Sequence, residues 1–446
     1  MVIEIKSIGG YNEVGKNMTA IRIDDDVILC DMGIHLENYI ALTQDDDIAN
    51  IPLNTLIEKQ AVPNISDLGD WKDKVRAIIP THAHLDHIGA IPVMAGIFKN
   101  APIICTPFTG AVLRRIIEDT KIPFNNPIKV LNANSAIKIN EYITIEFISI
   151  THSTPQTIII AIHTPYGKVC YANDFKLDNY PIVGTKVNTK RLKQLGKNGN
   201  VLCLIMDSLY ASTFKKMPSE SVAREMLKDV LLGTNSDGKA IIVTTFSSQI
   251  ARLKSIIDFG KRMNRKIVFM GRSLARYVYA AEEIGLVKFT DDIELVPYAS
   301  KVKVKFNKII KEGREKYLIV VTGHQGEPKS VLSRMCEGLF EFQNGDHVIF
   351  STSIIPSPTN IRNRQILEAK LKQKNVRIFT DIHVSGHAAR EDQRDLIEMI
   401  KPKHIVPAHA DMEKMSNLME LAMDIGYEEN KIHILKNGKK FKLTEE

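Results

Sequence analysis

The sequence predicts an α/β protein in which two packed sheets flanked by helices are interrupted by an inserted α/β domain. Over roughly the first 200 residues, short strand-like runs alternate with turns. From about Pro218 the rhythm changes to helix alternating with strand. Ligand-type residues then reappear at His383, His387 and His409, as expected of a chain that returns to complete its first domain. The expected division is residues 1–209 for the first part of that domain, 210–378 for the insertion and 379–446 for the completing part.

In order, the strand-like runs are Val2–Lys6, Thr19–Ile23, Val27–Cys30, Val75–Pro80, Ile128–Leu131, Tyr142–Ile150, Thr157–His163 and Lys168–Ala172. Each is rich in β-branched residues and bounded by turn formers, and few helices are expected among them. In the insertion, Ser219 is placed to cap a helix running to Leu231. Strand Ala240–Thr245, helix Gln249–Ile257 and strand Lys266–Phe269 follow, and then strands Tyr317–Thr322 and His347–Ser351. There is no internal repeat or low-complexity linker.

Composition narrows the class. A chain of 446 residues with 44% apolar and 25% charged residues suits a globular protein of about two to three domains. No apolar stretch approaches the roughly 20 residues that span a bilayer, and Glu4 stands too early for a secretion signal, so a cytoplasmic protein with no membrane partner is expected. The cysteines Cys30, Cys105, Cys170, Cys203 and Cys336 are odd in number and sit in apolar segments, which predicts reduced core thiols. A net charge of +7 permits a polyanionic substrate without requiring one.

The chemistry concentrates in Thr81-His-Ala-His-Leu-Asp-His87, directly after an apolar strand. His82 and His84, two apart on extended backbone, point to one side, while Asp86 and His87 fall where the chain turns into a helix and can face a second ion. Further candidate ligands stand at expected strand ends: Asp31, His152, Asp174 and His409. A dinuclear site needs about three protein ligands per ion, and this inventory meets that need. His35, His163, His347, His404 and His433 lack ligand spacing and are expected to be structural or surface groups. Trp71 is expected to be a packing anchor.

Taken in order, His82-x-His84-x-Asp86-His87, His152, Asp174 and His409 resemble the motif series of the metallo-β-lactamase superfamily. The resemblance implies an αββα sandwich with two Zn²⁺ per chain. One ion would be held by His82, His84 and His152, the other by Asp86, His87 and His409, with Asp174 bridging and Asp31 orienting the His82–His87 loop. Asp207 in Cys203-Leu-Ile-Met-Asp-Ser208 and His387 in His383-Val-Ser-Gly-His387 look like the additional motifs of the β-CASP nucleases, which makes the insertion a β-CASP domain. Nearly the whole chain is similar to the ribonuclease J family in its compact archaeal form. The segments that carry this are Gly9-Gly-Tyr-Asn-Glu-Val-Gly-Lys-Asn-Met18, His152-Ser-Thr-Pro155, Asp174-Phe-Lys176, Thr322-Gly-His-Gln-Gly-Glu-Pro328 and Lys401-Pro-Lys-His-Ile-Val-Pro407. It departs from the family pattern at Asn173, Gln156, His324 and Ala410-Asp411, none of them a ligand. The resemblance to the compact archaeal form implies that the C-terminal domain of bacterial members is lacking, and a homodimer is expected.

The resemblance implies a zinc-dependent 5′-to-3′ exoribonuclease acting on single-stranded RNA, preferring a 5′ monophosphate, with room for an endonucleolytic mode and for Mn²⁺ or Mg²⁺ in the assay. His387 is expected to be the general acid, with Asp207 hydrogen-bonded to it and Asp86 grouped with them in catalysis; a structural His–Asp pair is the alternative. Small hydroxyl-bearing loops suit a 5′ phosphate, and the candidates are His324, Gln325, Ser353, His383, Ser385 and Gly386, with plain turns as the alternative. Ser248, Arg252, Arg272 and Ser273 resemble positions that hold the RNA backbone, although Arg252 also suits a solvated helix face. The rival readings are a β-CASP endonuclease on RNA or DNA, which in its cleavage-factor form would carry a KH-like Gly-x-x-Gly region, a small-molecule hydrolase, and a silent RNA-binding scaffold. Ligand losses would mark the scaffold, and all seven candidates are present.

Overall fold

The computed structural model describes residues 2–43 and 48–443; Met1, residues 44–47 and residues 444–446, which include both ends of the expected domain division, lie outside the described residues. The strands run in order β1 (Ile3–Gly9), β2 (Met18–Ile23), β3 (Asp26–Cys30), β4 (Val75–Ile79), β5 (Ile103–Cys105), β6 (Ile128–Val130), β7 (Ala136–Lys138), β8 (Thr144–Ser149), β9 (Ile158–Thr164), β10 (Gly167–Ala172) and β11 (Val201–Asp207). The chain continues through β12 (Ile241–Thr244), β13 (Lys266–Met270), β14 (Ile293–Val296), β15 (Tyr317–Val321), β16 (His347–Phe350) and β17 (Arg377–Phe379), and ends with β18 (His404–Ala408) and β19 (Lys439–Leu443). One compact unit takes the chain up to Asn179, Thr185–Met217 and everything from Gly386; the other takes Tyr180–Gly184 and Pro218–Ser385. These junctions fall a little later in the sequence than the expected ones at 209/210 and 378/379.

The first unit is an αββα sandwich. Its sheets have the orders β19-β1-β2-β3-β4-β5-β6 and β18-β11-β10-β9-β8-β7. In the first, β1 to β3 and β19 pair antiparallel and β3 to β6 parallel. In the second, β18, β11 and β10 are parallel and β10 to β7 antiparallel. β9 shows why its sequence folds this way: Ile158, Ile160 and Ile162 face the core between the sheets, with Ile5, Ile21, Ile28, Phe147 and Tyr171. Its alternate residues Ile159 and Ala161 face a second cluster with Leu192, Leu195, Leu396, Ile397 and Leu418, which belong to covering helices. A strand buried on both faces reads as an unbroken apolar run, as this one does.

The second unit is a parallel sheet in the order β14-β13-β15-β12-β16-β17. Ser219 accepts a hydrogen bond from Ser221 N (3.1 Å) at the start of helix Glu220–Gly233, so the expected cap is present. Two expectations for the first 200 residues need correction. The helix Pro107–Thr120 lies where few helices were expected, with Phe108, Ala111, Val112, Leu113 and Ile116 buried. Pro107, Thr109 and Gly110 resemble turn residues, but Pro is well suited to a first helical turn, and a Cβ on Gly110 would come within 3.2 Å of Cys105 Sγ. The strands β5 and β7 also escape the reading, because three residues are too few to display a period of two. All five cysteines are buried and free. No helix among the described residues is long and apolar enough to cross a membrane.

Candidate metal centre

β4 delivers the chain into the site. Past Pro80 the backbone leaves the sheet, so Thr81–His84 form an irregular loop rather than extended strand, followed by the short helix Leu85–Ile88. Asp31, just beyond β3, pins this loop. Its carboxylate accepts from Thr81 N (2.7 Å), Thr81 Oγ1 (2.9 Å) and His87 Nδ1 (2.7 Å). The approach requires a glycine at position 33, where a Cβ would stand 1.6 Å from the Asp86 carbonyl oxygen. His152, Asp174 and His409 arrive from the ends of β8, β10 and β18.

The imidazoles share one scheme. His152 Nδ1 donates to Gly386 O (2.8 Å), and His409 Nδ1 to Asn17 Oδ1 (3.0 Å). His82 Nδ1 lies 3.0 Å from Thr81 Oγ1, whose own hydrogen goes to Asp31. A ring that spends its Nδ1 hydrogen on such a partner presents the Nε2 lone pair on its other side. His84 is turned the other way, its Nδ1 2.9 Å from His82 Nε2 and 3.1 Å from His152 Nε2. Three nitrogens therefore converge with few hydrogens to share.

Asp174 stands at the centre. Its Oδ2 is 3.6 Å from His82 Nε2, 3.6 Å from His152 Nε2 and 3.2 Å from His87 Nε2. Its Oδ1 is 3.6 Å from His409 Nε2 and, though buried, has no hydrogen-bond partner among the described residues. The groups fall into sets that each fit around one ion: His82, His84, His152 and Asp174, then Asp86, His87 and His409. Burial holds His82 and His152 far toward the neutral form and brings His84 down to about 4. Burial alone would raise the Asp174 carboxyl, yet His409, His87 and His387 keep it well below the usual carboxylate range. Converging neutral imidazoles and a buried, unsatisfied carboxylate oxygen are a donor set that a metal cation fits.

His387 is joined to this centre. Its Nδ1 donates to Asp207 Oδ2 (2.9 Å), its Nε2 lies 3.9 Å from Asp174 Oδ2, and its ring stacks on that of His409. Asp207, at the end of β11, is itself fixed by Leu209 N (2.7 Å). Burial disfavours the His387 imidazolium, but the Asp174 and Asp207 carboxylates outweigh it and bring the group up to about 9.

In the second unit the candidate phosphate groups lie at or beyond the carboxyl ends of parallel strands, where ligands of such sheets bind. Ser273 Oγ is 2.9 Å from Ser247 Oγ, Arg272 is exposed, and Ser248 is buried. Gln325 ties two loops together, donating to Ser353 O (2.9 Å) and accepting from Ile355 N (2.9 Å). The rings of His324 and His383 both pack against Phe246, and Ser385 is half-buried. Arg252 is corrected on both earlier readings. It is fully buried, with Nε and Nη2 on the Glu220 carboxylate (2.6 and 2.9 Å) and Nη1 on Ser351 and the Ile382 carbonyl, so its guanidinium is enclosed by protein acceptors rather than offered to a phosphate.

Sequence reasoning gave Asn17 no role, although it lies in the quoted segment Gly9–Met18. Besides His409 it touches Asp86 O (3.0 Å) and His87 Nε2 (3.1 Å) through Nδ2, and its Oδ1 also accepts from Asn173 (3.0 Å). Its signal was its place in that segment; an amide alone carries none. Trp71 is buried with Lys6 Nζ 4.4 Å from its ring, and His163 pairs with Glu146 (2.7 Å).

Family models match three stretches of the chain. The beta-lactamase superfamily domain matches residues 51–189, the ribonuclease J beta-CASP domain residues 238–368, and the Zn-dependent metallo-hydrolase RNA specificity domain residues 374–435. Ribonuclease J of Methanocaldococcus jannaschii is 45% identical over 442 residues, covering 98% of each chain. The chain belongs to the ribonuclease J family. It is accordingly a metal-dependent nuclease of the lactamase and β-CASP type. Ribonuclease J of Pyrococcus abyssi is 40% identical over 98% of this chain and 96% of that one, and ribonuclease J 1 of Streptococcus pyogenes is 32% identical over 99% and 74%. A solved structure of a protein of unknown function from Enterococcus faecalis V583 shares the fold, with a TM-score of 0.66 at 18% identity over 99% of this chain and 100% of that one. Two positions that depart from the ribonuclease J pattern have structural employment here. Asn173 bonds Asn17 and the Tyr171 hydroxyl, and Gln156 Oε1 accepts from Phe108 N (2.8 Å) at the start of helix Pro107–Thr120.

Proposed function

We propose that the protein is a zinc-dependent 5′-to-3′ exoribonuclease that degrades single-stranded RNA and favours 5′-monophosphate ends. The observation that supports this most is the pair of ligand sets meeting at Asp174 with the Asp207-held imidazole of His387 beside them. In this reading His82, His84 and His152 would hold one ion and Asp86, His87 and His409 the other, with Asp174 available to both. When bound, two zinc ions supply Lewis acidity, which activates water at neutral pH and neutralises charge on the phosphate.

The chain's own groups do the rest. Asp207 fixes the His387 ring through Nδ1, leaving Nε2 to carry the proton that passes to the departing 3′ oxygen as its bond to phosphorus breaks. Asp31, Asn17 and the Gly386 carbonyl hold imidazoles in one tautomer and one orientation, which spares that reorganisation during the reaction. Ser353, His383 and Ser385 are the groups assigned to the 5′ phosphate, with Arg272 and Ser273 on the backbone phosphates. The finer expectations of a cytoplasmic location and a homodimer belong to the same reading, the second read out by sedimentation.

The deciding experiment is gel-resolved digestion of 3′-labelled RNAs bearing a 5′ monophosphate, triphosphate or hydroxyl, with His84→Ala as control. Faster decay of the monophosphate species without discrete intermediates, lost in the control, is expected. Discrete internal products indifferent to the 5′ group would move the protein to the endonuclease branch.

A further inference from the structure

Phe214 is the most exposed large apolar side chain among the described residues, at 80%. A ring this size is normally buried, and an isolated one in water asks what covers it. It is not on a loose loop. Thr213 N donates to Tyr210 O (3.0 Å), Arg390 N to Thr213 O (3.2 Å) and Glu391 N to Lys215 O (3.2 Å), so its backbone is stitched to the start of helix Arg390–Ile400. Beneath the ring, the Arg390 guanidinium lies 4.7 Å from the centroid. Arg390 is only 3% exposed and is itself immobilised, donating to Ala211 O, Asn417 O and Asp424. One face of the ring is therefore backed by a fixed cation and the other is open to water. Lys215 beside it is exposed and has no ion pair among the described residues.

The place matters as much as the exposure. The segment starts at Asp207, the partner of His387, and the Tyr210 ring lies 6.1 Å from that of His387. The Tyr210–Thr213 turn folds the chain back, which keeps Phe214 within about 11 Å of Tyr210 along the backbone. A flat apolar face backed by a cation and flanked by a free lysine, a few nucleotides' reach from the group assigned to proton transfer, suits a base and its phosphate.

We propose that Phe214 is a stacking platform for one base of single-stranded RNA, with Lys215 taking the adjoining phosphate. The inference rests on the ribonuclease reading above. Such stacking is sequence-tolerant, because every base offers a π face, so the platform would lengthen the bound RNA without selecting its sequence.

The test uses the zinc-loaded full chain and a set of 5′-monophosphorylated RNAs, each with one abasic position. F214A is expected to raise KM about tenfold with kcat unchanged, and F214W to restore it. In the wild type, one abasic position should cost the same factor, and in F214A that position should cost nothing more. Thermal midpoints should match, since truncating an exposed ring removes little packing. F214A with unchanged KM on every RNA would overturn the platform, and so would a KM rise equally large at all abasic positions, or a shift in sedimentation with KM unaltered, which would make the ring a contact between copies. Wild-type protein that leaves every RNA intact would instead overturn the ribonuclease reading, and this inference with it.

Discussion

Asn17 brings four parts of the site to one amide: the Asp86 carbonyl, His87, His409 and Asn173. Removing it leaves His409 without the acceptor that sets its tautomer. Asn17→Ala is expected to weaken zinc binding about 10- to 100-fold, measured by competition with a chelating dye, and Asn17→Asp, which keeps an acceptor for His409, to recover part of the loss. The candidate ligands were legible because imidazoles and carboxylates crowd positions 82–87 and recur at strand ends. Asn17 was not, because amides are common and the partner at position 409 is distant in sequence. Arg252 was misread for the same reason: a basic residue after a hydroxyl-rich loop resembles a phosphate ligand until Glu220 is seen folded against it. Three site residues, Asp31 (φ 60°), Asp174 (φ 34°) and His409 (φ 56°), also hold backbone conformations that non-glycine residues rarely adopt, and no spacing rule reveals that.

At the scale of elements, end signals and strand length decided what could be read. Ser219 announces helix Glu220–Gly233, and its Oγ both accepts from Ser221 N and donates to Tyr180 O (3.1 Å). Ser219→Ala is expected to cost about 1 kcal/mol, seen as a lower denaturant midpoint with unchanged slope. Strands such as β9 are long enough for their apolar run to show, whereas β5 and β7 are held by neighbouring strands rather than by their own pattern. Gly386 marks a different constraint, a close approach. A Cβ there would lie 2.1 Å from Ser153 Oγ and 2.9 Å from His152 Nδ1. Gly386→Ala is expected to lose activity at least tenfold, because the carbonyl that orients His152 must move.

For the molecule as a whole, the plan of a split domain around an insertion was legible in the change of rhythm at about Pro218 and the reappearance of histidines after residue 380. Stability should respond to the metal and to acid. Zinc at about 100 times its dissociation constant is expected to add about 2.7 kcal/mol, read as a rise in thermal midpoint that a chelator reverses. Glu146 is half-buried, which would raise its pKa, but hydrogen bonds from His163 and Arg191 outweigh this and hold it at about 2. A carboxylate depressed on folding stabilises above its unfolded value near 4.3 and loses that contribution as pH falls toward 2. Acid titration followed by circular dichroism should show a loss over that window that Glu146→Gln lacks.

The order of synthesis follows from where the outer strands lie. β18 and β19 flank the two sheets of the first unit, yet both come from the last part of the chain, and β18 carries His409 into the centre. A polypeptide made only as far as β17 therefore lacks an edge strand of each of these two sheets and the candidate ligand His409. On the proposed ligand assignment, such a nascent chain would not yet cleave RNA.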